Sequence, residues 1–495
     1  MALKIHNTLT RQKEEFVPLS PPEVRIYVCG VTVYALSHIG HGRSAVVFDV
    51  IRRHLQFKGY QVRFVKNFTD VDDKIIKRAR DEGVSPDEVA RRYIQEYRKD
   101  MEALGVRPPD VEPKATDHVR QMIALIERLI ANGFAYVVDG DVYFEVRRFP
   151  AYGRLSGKNL DELLVGARVE PDERKRDPRD FALWKAAKPD EPSWESPWGP
   201  GRPGWHIECS AMSMEHLGES FDIHGGGEDL IFPHHECEIA QSEAGTKKMF
   251  ARYWIHNGFV NLGAEKMSKS LGNVLLIRNL LEHYHPDTLR LHLLGTHYRS
   301  PLDFQEMRLS DATRAGGRLR ILVSRAFHLA GQAGAKMIEP SETELRESFI
   351  HDLLGAIVGD ELRDEVLQCH TRFIEAMDDD FNTPQAFGAL FDLSHVLNRY
   401  HEIGVQGERL QRFLEAVRIL LVLGRTLGLL YRHVNPFEFS AMQRADIEPL
   451  IAAREEARKC RDWKRADEIR DQINALGVIV EDTPGGPRYK WKGAP

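Results

Sequence analysis

Three sets of residues in this chain have the types and spacing to do chemistry. His38-Ile39-Gly40-His41 puts two imidazoles three apart, so on one face of a helix start, where both can reach the oxygens of an anion. Unpaired N–H groups and the positive dipole end of such a helix favour the anion before any side chain acts, and Gly40 leaves space for a bulky group to approach the backbone. Lys266-Met267-Ser268-Lys269-Ser270 is a small, polar segment bracketed by Gly263 and Gly272, which suits a loop closing over a triphosphate. Chemistry of that kind needs charge placed and aligned more than covalent assistance, and an ammonium at the β- and γ-phosphates stabilises a departing pyrophosphate. The third set is Cys29, Cys209, His234 and Glu238, all of them able to ligate a metal of the zinc type. If Pro233 opens a helix as its first residue, His234 and Glu238, four apart, point to one face. Cys237 lies three from His234, and His206, His224 and His235 are also nearby, so spacing alone leaves the ligand set open.

These residues need elements to hold them. Residues 24–28 are a β-branched and aromatic run ended by Cys29-Gly30, and a strand is predicted there. From Gly40 to Lys58 the residues Val46, Val47, Val50, Ile51 and Leu55 recur at helical spacing, with Gly59 as terminator, and 61–68 predicts the next strand. Strand, crossover helix, strand builds a parallel sheet that binds ligands at the carboxyl ends of its strands, where both histidines fall. Residues 116–200 interrupt the pattern with a helix, a hairpin and a Pro- and Trp-rich stretch; strands return at 220–224, before Gly225-Gly226-Gly227, and at 253–262. Amphipathic stretches at 309–333, 342–377 and 383–403 predict a helical bundle, and the tail predicts two helices over 447–476, then short strands over 477–491.

The fold class expected is α/β: a Rossmann-type parallel-sheet catalytic domain with an insertion, an α-helical bundle and a small C-terminal domain. The divisions are 1–118 and 201–262 for the two halves of the sheet domain, 119–200 for the connective insertion, 263–308 for the lysine loop and its continuation, 309–436 for the bundle and 437–495 for the C-terminal domain. A chain of 495 residues has ample surface to bury in several cores. No run approaches 18 apolar residues and the first residues open no signal pattern, so no membrane and a cytoplasmic location are expected. Five scattered cysteines suit thiols or metal ligands in a reducing compartment. The net charge of −6 argues against a highly basic coat and leaves local RNA-binding surface open, for example Arg488-Tyr489-Lys490-Trp491-Lys492.

Taken together, Cys29-Gly30-Val31-Thr32-Val33-Tyr34, the two ATP-type motifs, Asn67-Phe68-Thr69-Asp70-Val71-Asp72-Asp73-Lys74, and 201–210 (GRPGWHIECS) resemble the cysteinyl-tRNA synthetases, of class I, over nearly the whole length. Ala376-Met377-Asp378-Asp379-Asp380-Phe381-Asn382-Thr383-Pro384 and Glu481-Asp482-Thr483-Pro484 extend the resemblance. It implies a zinc ion held by Cys29, Cys209, His234 and Glu238, to the exclusion of Cys237. It implies ATP, with Mg2+, on His38, Gly40, His41, Lys266, Ser268 and Lys269; Trp205 as a wall of the cysteine pocket; and Thr32 or Asp229 on the substrate's ammonium or carboxylate. L-cysteine, ATP and tRNA(Cys) are the expected partners, the bundle and C-terminal domain reach along the tRNA to its anticodon, and a monomer is expected.

A metal answers a specificity problem that shape cannot. Pockets separate near-isosteres such as serine and cysteine by only about a hundredfold. Zinc binds a thiolate at about 2.3 Å and lowers its pKa, whereas a serine hydroxyl stays protonated near neutrality. Four protein ligands plus a substrate thiolate make five, so one bond is expected to be weak or to lengthen. Two other readings compete: a ligase joining cysteine to an amino sugar, which lacks the anticodon-reading tail, and a non-catalytic cysteine or zinc sensor, which would not need the pyrophosphate-handling set. Lys74-Ile75-Ile76-Lys77 also resembles a segment linked in this family to pyridoxal phosphate, with a solvated lysine pair on a helix as the simpler expectation.

Overall fold

The structure, a computed structural model, describes residues 2–158, 173–262, 265–266, 275–335, 337–358, 361–431, 441–475, 478–483 and 486–491. A hairpin of β1 (Lys4–Asn7) and β2 (Gln12–Glu15) precedes the unit β3 (Glu23–Thr32), α1 (Ile39–Phe57), β4 (Gln61–Thr69). After α2 (Asp73–Glu82), α3 (Pro86–Ala103) and α4 (Val119–Ala131), the strands β5 (Ala135–Val138), β6 (Asp141–Phe144), β7 (Phe181–Ala186) and β8 (Gly201–Pro203) form an antiparallel sheet of their own. α5 (Trp205–Leu217) leads to the second unit, β9 (Phe221–Gly227), α6 (Glu236–Thr246), β10 (Ala251–Asn257), and then to β11 (Val260–Leu262), β12 (Glu265–Lys266), α7 (Ile277–Leu281), α8 (Pro286–Leu294) and β13 (Leu302–Asp303).

The two units share one parallel sheet in the order β10-β9-β3-β4. The chain winds outward from β3 in one direction and from β9 in the other, so the carboxyl ends of these two central strands border a crevice. In α1 the apolar positions expected from the spacing are buried, and Gly59 takes φ +94°, a conformation that suits glycine just past the helix end. Between Val28 and Val31 the register of β3 on β4 slips, leaving Cys29 and Gly30 opposite Asn67. Such a bulge re-aims side chains at a strand end. Gly30 permits it, since a Cβ there would lie 1.5 Å from the Asn67 carbonyl oxygen.

The bundle comprises α9 (Glu306–Gln332), α10 (Glu347–Ala356), α11 (Glu361–Asp378), α12 (Thr383–Glu402) and α13 (Glu408–Thr426), and its core is continuous with that between α1 and the sheet. The amphipathic run at 342–377 is broken: α10 stops at Ala356, where Ile357 leaves helical geometry at ψ 78°. Gly355 and the β-branched pair Ile357-Val358 weaken the helix there. The tail adds α14 (Ala441–Lys459), α15 (Trp463–Ala475) and a hairpin of β14 (Val478–Thr483) and β15 (Gly486–Trp491), the strand that carries 488–491.

Three consecutive aspartates at the end of α11 fasten the bundle to the sheet domain. Asp378 accepts from His54 Nε2 at 3.0 Å and Lys58 Nζ at 3.1 Å at the far end of α1. Asp379 pairs with Lys13 at 2.6 Å, and Asp380 accepts from the Tyr298 hydroxyl, the Arg299 guanidinium and the His6 backbone N–H. Asp378 and His54 are buried, so Asp378→Ala, which strips a buried donor and an ammonium of their acceptor, is expected to cost about 2–3 kcal/mol in urea unfolding. Asp379→Ala, removing an exposed pair, is expected to cost under about 1 kcal/mol.

His370 on α11 is buried, and burial, with the charges around it, holds its pKa at about 4. A base whose folded pKa lies below its unfolded one stabilises the fold fully above about 6.5, and that contribution is lost as pH falls toward the folded value. Stability is therefore expected to drop by roughly 3 kcal/mol between pH 6.5 and 4 from this group, and His370→Leu should flatten that part of a pH-dependent unfolding profile.

Candidate active site

The crevice at the ends of β3 and β9 gathers the metal-type residues. Cys29 enters from the bulge, Cys209 from the second turn of α5, and His234 and Glu238 from the segment opening α6. Phe232 is extended (φ −138°, ψ 132°) and helical geometry starts at Pro233, which puts His234 and Glu238 on one face with Nε2 and Oε1 3.1 Å apart. Cys29 Sγ donates to Glu238 Oε1 at 3.3 Å. The donor atoms of Cys29, Cys209, His234 and Glu238 all lie within 4.8 Å of one another, and all four residues are buried. Cys237 points elsewhere, its sulfur 3.3 Å from the Tyr152 hydroxyl, and burial pushes its thiol well up.

The electrostatics of this cluster favour a cation. Burial works against a charge on Glu238, yet His224 and His234 hold its carboxyl well below the usual range. Burial likewise opposes ionisation of Cys209, but hydrogen bonds from Cys29 and His234 hold its thiol at about 6, while burial and Cys209 push Cys29 up. His234 is raised to about 10, against its burial, by Glu238 and Cys209. A buried carboxylate and thiolate thus share one imidazolium, and a divalent cation displacing its proton would satisfy both anions. Two sulfurs, an imidazole and a carboxylate are donors that suit a metal of the zinc type and not a hard, all-oxygen cation. Nearby, Asn67 accepts from Gly30 N–H at 2.8 Å, and its amide nitrogen is buried without a partner among the described residues, a donor available to a bound molecule.

A surrounding set orients these ligands. His224 Nε2 lies 2.9 Å from Glu238 Oε2 and its ring stacks on Trp254 at 4.4 Å. His206, which burial and His234 hold neutral at about 3, accepts from His234 Nδ1 at 3.0 Å, turning Nε2 to the cluster. His235 Nε2 sits 3.3 Å from Cys29 Sγ, and its Nδ1 continues to His256 at 2.8 Å and from there to Thr8 at 2.8 Å. The donor atoms of Cys29, His224, His235 and Glu238 also lie within 4.8 Å of one another, a second group that shares Cys29 and Glu238 with the first. His256, at the end of β10 before Gly258, went unsingled in the sequence; its position at a parallel strand's carboxyl end was the available signal.

His38 and His41 form the first turn of α1, rings stacked at 3.7 Å. His38 Nδ1 accepts from Gly40 N–H and His41 Nδ1 accepts from His38 N–H, so each ring carries its proton on Nε2. Ile39 N–H is committed to Leu275 O at 2.9 Å. The N–H groups of Ile39 and Gly40 are thus taken up within the protein, unlike the free backbone groups expected from a helix start. Ser268 and Lys269 lie outside the described residues; Lys266 is described in its backbone, paired with Asn261 across β11 and β12. Where the described residues resume after 274, Leu276 bridges His38. Both flanks of the lysine segment are thus tied down, one of them directly to the histidine turn.

Trp205 opens α5 and stacks on His234 at 4.3 Å while remaining 41 % exposed, a wall at the mouth of the cluster. Thr32 ends β3, and Asp229 is exposed on the turn after β9. Gly225 and Gly226 are crowded by the protein itself: a Cβ would meet Phe48 at 2.3 Å and Leu230 at 2.8 Å, so interior packing accounts for them without a nucleotide. Lys74 and Lys77 are exposed on α2, with Lys74 over the Tyr34 ring at 5.5 Å.

The fold is that of class I aminoacyl-tRNA synthetases: the Mycobacterium tuberculosis methionyl-tRNA synthetase in complex with methionyl-adenylate superposes with a TM-score of 0.57 over 82% of this chain and 89% of its own, at 18% identity. A putative arginyl synthetase from Campylobacter jejuni gives 0.55 over 83% and 94%, at 13% identity. Residues 15–314 match the family model for the class I (C) tRNA synthetase catalytic domain, 372–431 a DALR domain and 444–489 a cysteinyl-tRNA ligase anticodon binding domain. Cysteine–tRNA ligases of Geobacter sulfurreducens and Pelobacter propionicus are 50% and 52% identical, covering 99% of this chain and 100% and 99% of their own lengths. The chain belongs to the cysteinyl-tRNA synthetase family.

If the first ligand set holds the metal, Cys209→Ser should lose bound divalent metal and Cys237→Ser should keep it, measured as metal content of purified protein and by the thiolate charge-transfer absorption of the cobalt-loaded form.

Proposed function

We propose that this chain activates L-cysteine with ATP and charges tRNA(Cys). The observation that carries the reading is the buried Cys29–Cys209–His234–Glu238 cluster set at the same sheet crevice as the histidine turn of α1. These four residues would hold zinc, and a bound zinc supplies a position that takes a thiolate in preference to a neutral hydroxyl. His224 and His206 fix the carboxylate and imidazole donors, and Trp205 closes the mouth of the pocket. Thr32 and Asp229 are proposed to receive the substrate's ammonium or carboxylate.

ATP, with Mg2+, is proposed to lie against the first turn of α1, with the Nε2–H groups of His38 and His41 on its phosphates and Gly40 beside the nucleoside. The cysteine carboxylate attacks the α-phosphorus, the bond to the β-phosphate oxygen breaks, and pyrophosphate departs with its charge met by Lys266 and Lys269, with Ser268 between them. A ribose hydroxyl of the tRNA's terminal adenosine then attacks the acyl carbon and AMP leaves. The anticodon-domain match over 444–489 supports tRNA as acceptor, against the amino sugar ligase and the sensor. We further propose that the chain works in the cytoplasm, as a monomer, with the bundle and C-terminal domain following the tRNA; no helix among the described residues is long and apolar enough to cross a membrane.

Purified protein is expected to charge bulk tRNA with labelled cysteine and not with serine. Cysteine-dependent ATP consumption without labelled tRNA would favour the small-molecule ligase, and no reaction would favour the sensor. Lys269→Ala is expected to retain metal while slowing cysteine-dependent pyrophosphate exchange by about 10²–10³-fold, the scale of losing one transition-state charge contact.

A further inference from the structure

A cavity of about 310 Å³ lies on the α1 side of the sheet, between the middle of α1, β4, α3 and residues 106–112. It is separate from the metal cluster and one to three turns along α1 from the histidine turn. That volume is at the low end of small-molecule sites. The buried rings of Phe64 and Tyr97, with Met101, give it apolar walls, and charged side chains complete the lining.

Lys66, on β4, lines this cavity and is only 9 % exposed. Among the described residues its ammonium makes no hydrogen bond and no ion pair; it lies over the Tyr97 ring at 5.5 Å. The other charges lining the cavity are engaged elsewhere: Arg98 with Glu112 at 2.8 Å, Arg52 with Asp110 at 2.6 Å, Asp49 with Arg53 and Arg290 at 2.8 and 2.6 Å, and Arg107 with Glu342, while Glu102 also has a partner. A lysine so buried ordinarily has a carboxylate in ion-pair contact, and among the described residues none of those lining the cavity, Asp49, Glu102 and Glu112, makes one with Lys66. The missing partner is one negative group on a flat apolar body. A free phosphate or a nucleic acid backbone would meet the charge and leave the aromatic walls without contact.

We propose that this cavity binds a small aryl carboxylate, with its ring between Phe64, Tyr97 and Met101 and its carboxylate on the Lys66 ammonium.

Calorimetric titration of the full chain with 2-naphthoate, and in parallel with the uncharged 2-naphthamide, tests this. One site per chain is expected for the carboxylate, with the amide weaker by about tenfold or more, the scale of a charge-assisted contact. Lys66→Met should weaken 2-naphthoate by a similar factor, and Met101→Trp, which fills the cavity, should abolish binding, with melting temperatures showing both variants folded. No heat at about 1 mM ligand, or equal binding to both variants, overturns the assignment. Should either variant fail to fold, equal affinity of the wild-type protein for the acid and the amide overturns it independently.

Discussion

The site depends on one buried charge. Glu238 is fully enclosed and ionised, a condition that a protein interior tolerates only when the charge is paired and hydrogen-bonded. Its two oxygens are divided: one faces His224, the other faces His234 and Cys29. Those partners arrive from β9, the opening of α6 and the β3 bulge, so a single carboxylate compels three elements into one register. The same demand gives the pocket an electrostatic preference for a cation, because the cluster holds more negative than positive charge once Cys209 ionises.

Around this charge the structure separates two kinds of work. The metal-type cluster sits among histidines that fix one another's tautomers, down to the chain His235–His256–Thr8 leading toward the β1–β2 hairpin. The anion side is built differently. His38 Nδ1 accepts from Gly40 N–H and His41 Nδ1 from His38 N–H, with the two rings stacked, and Leu275 and Leu276 bond to the same turn. One half is organised by buried charge and the other by a capped helix start bonded to residues 275 and 276.

Much of this was legible in local pattern. Helical spacing from Val46 to Leu55 placed α1, and the i, i+4 relation of His234 and Glu238 with a proline ahead of them placed two donors on one face. Periodicity could not show that Cys209 and Cys29, 180 residues apart in sequence, would meet, nor that the β3–β4 register would slip at Gly30, because both depend on strand pairing. The motif carried the ligand choice instead. His235 and His256 act through one another across two elements, which no single window contains. The break after Ala356 was hidden in a run whose hydrophobic spacing continues on either side of it. Lys66 looked like an ordinary strand residue because its burial comes from α3 and the 106–112 segment crossing the sheet edge.

The aspartate fastening at the end of α11 bears on how distant parts of the molecule can influence each other. α1 is one unbroken helix of nineteen residues, about 28 Å long, with the histidine turn at its first residue and the Asp378 contacts at His54 and Lys58 near its last. It is held along its length as well, by its buried face on the sheet, by Arg43 on the carbonyls of Leu293 and Ser300, and by Leu275 at its first turn. The fastening at Asp378 and the histidine turn thus share one element, and the bundle is joined to the sheet domain through the same packed helix that carries His41.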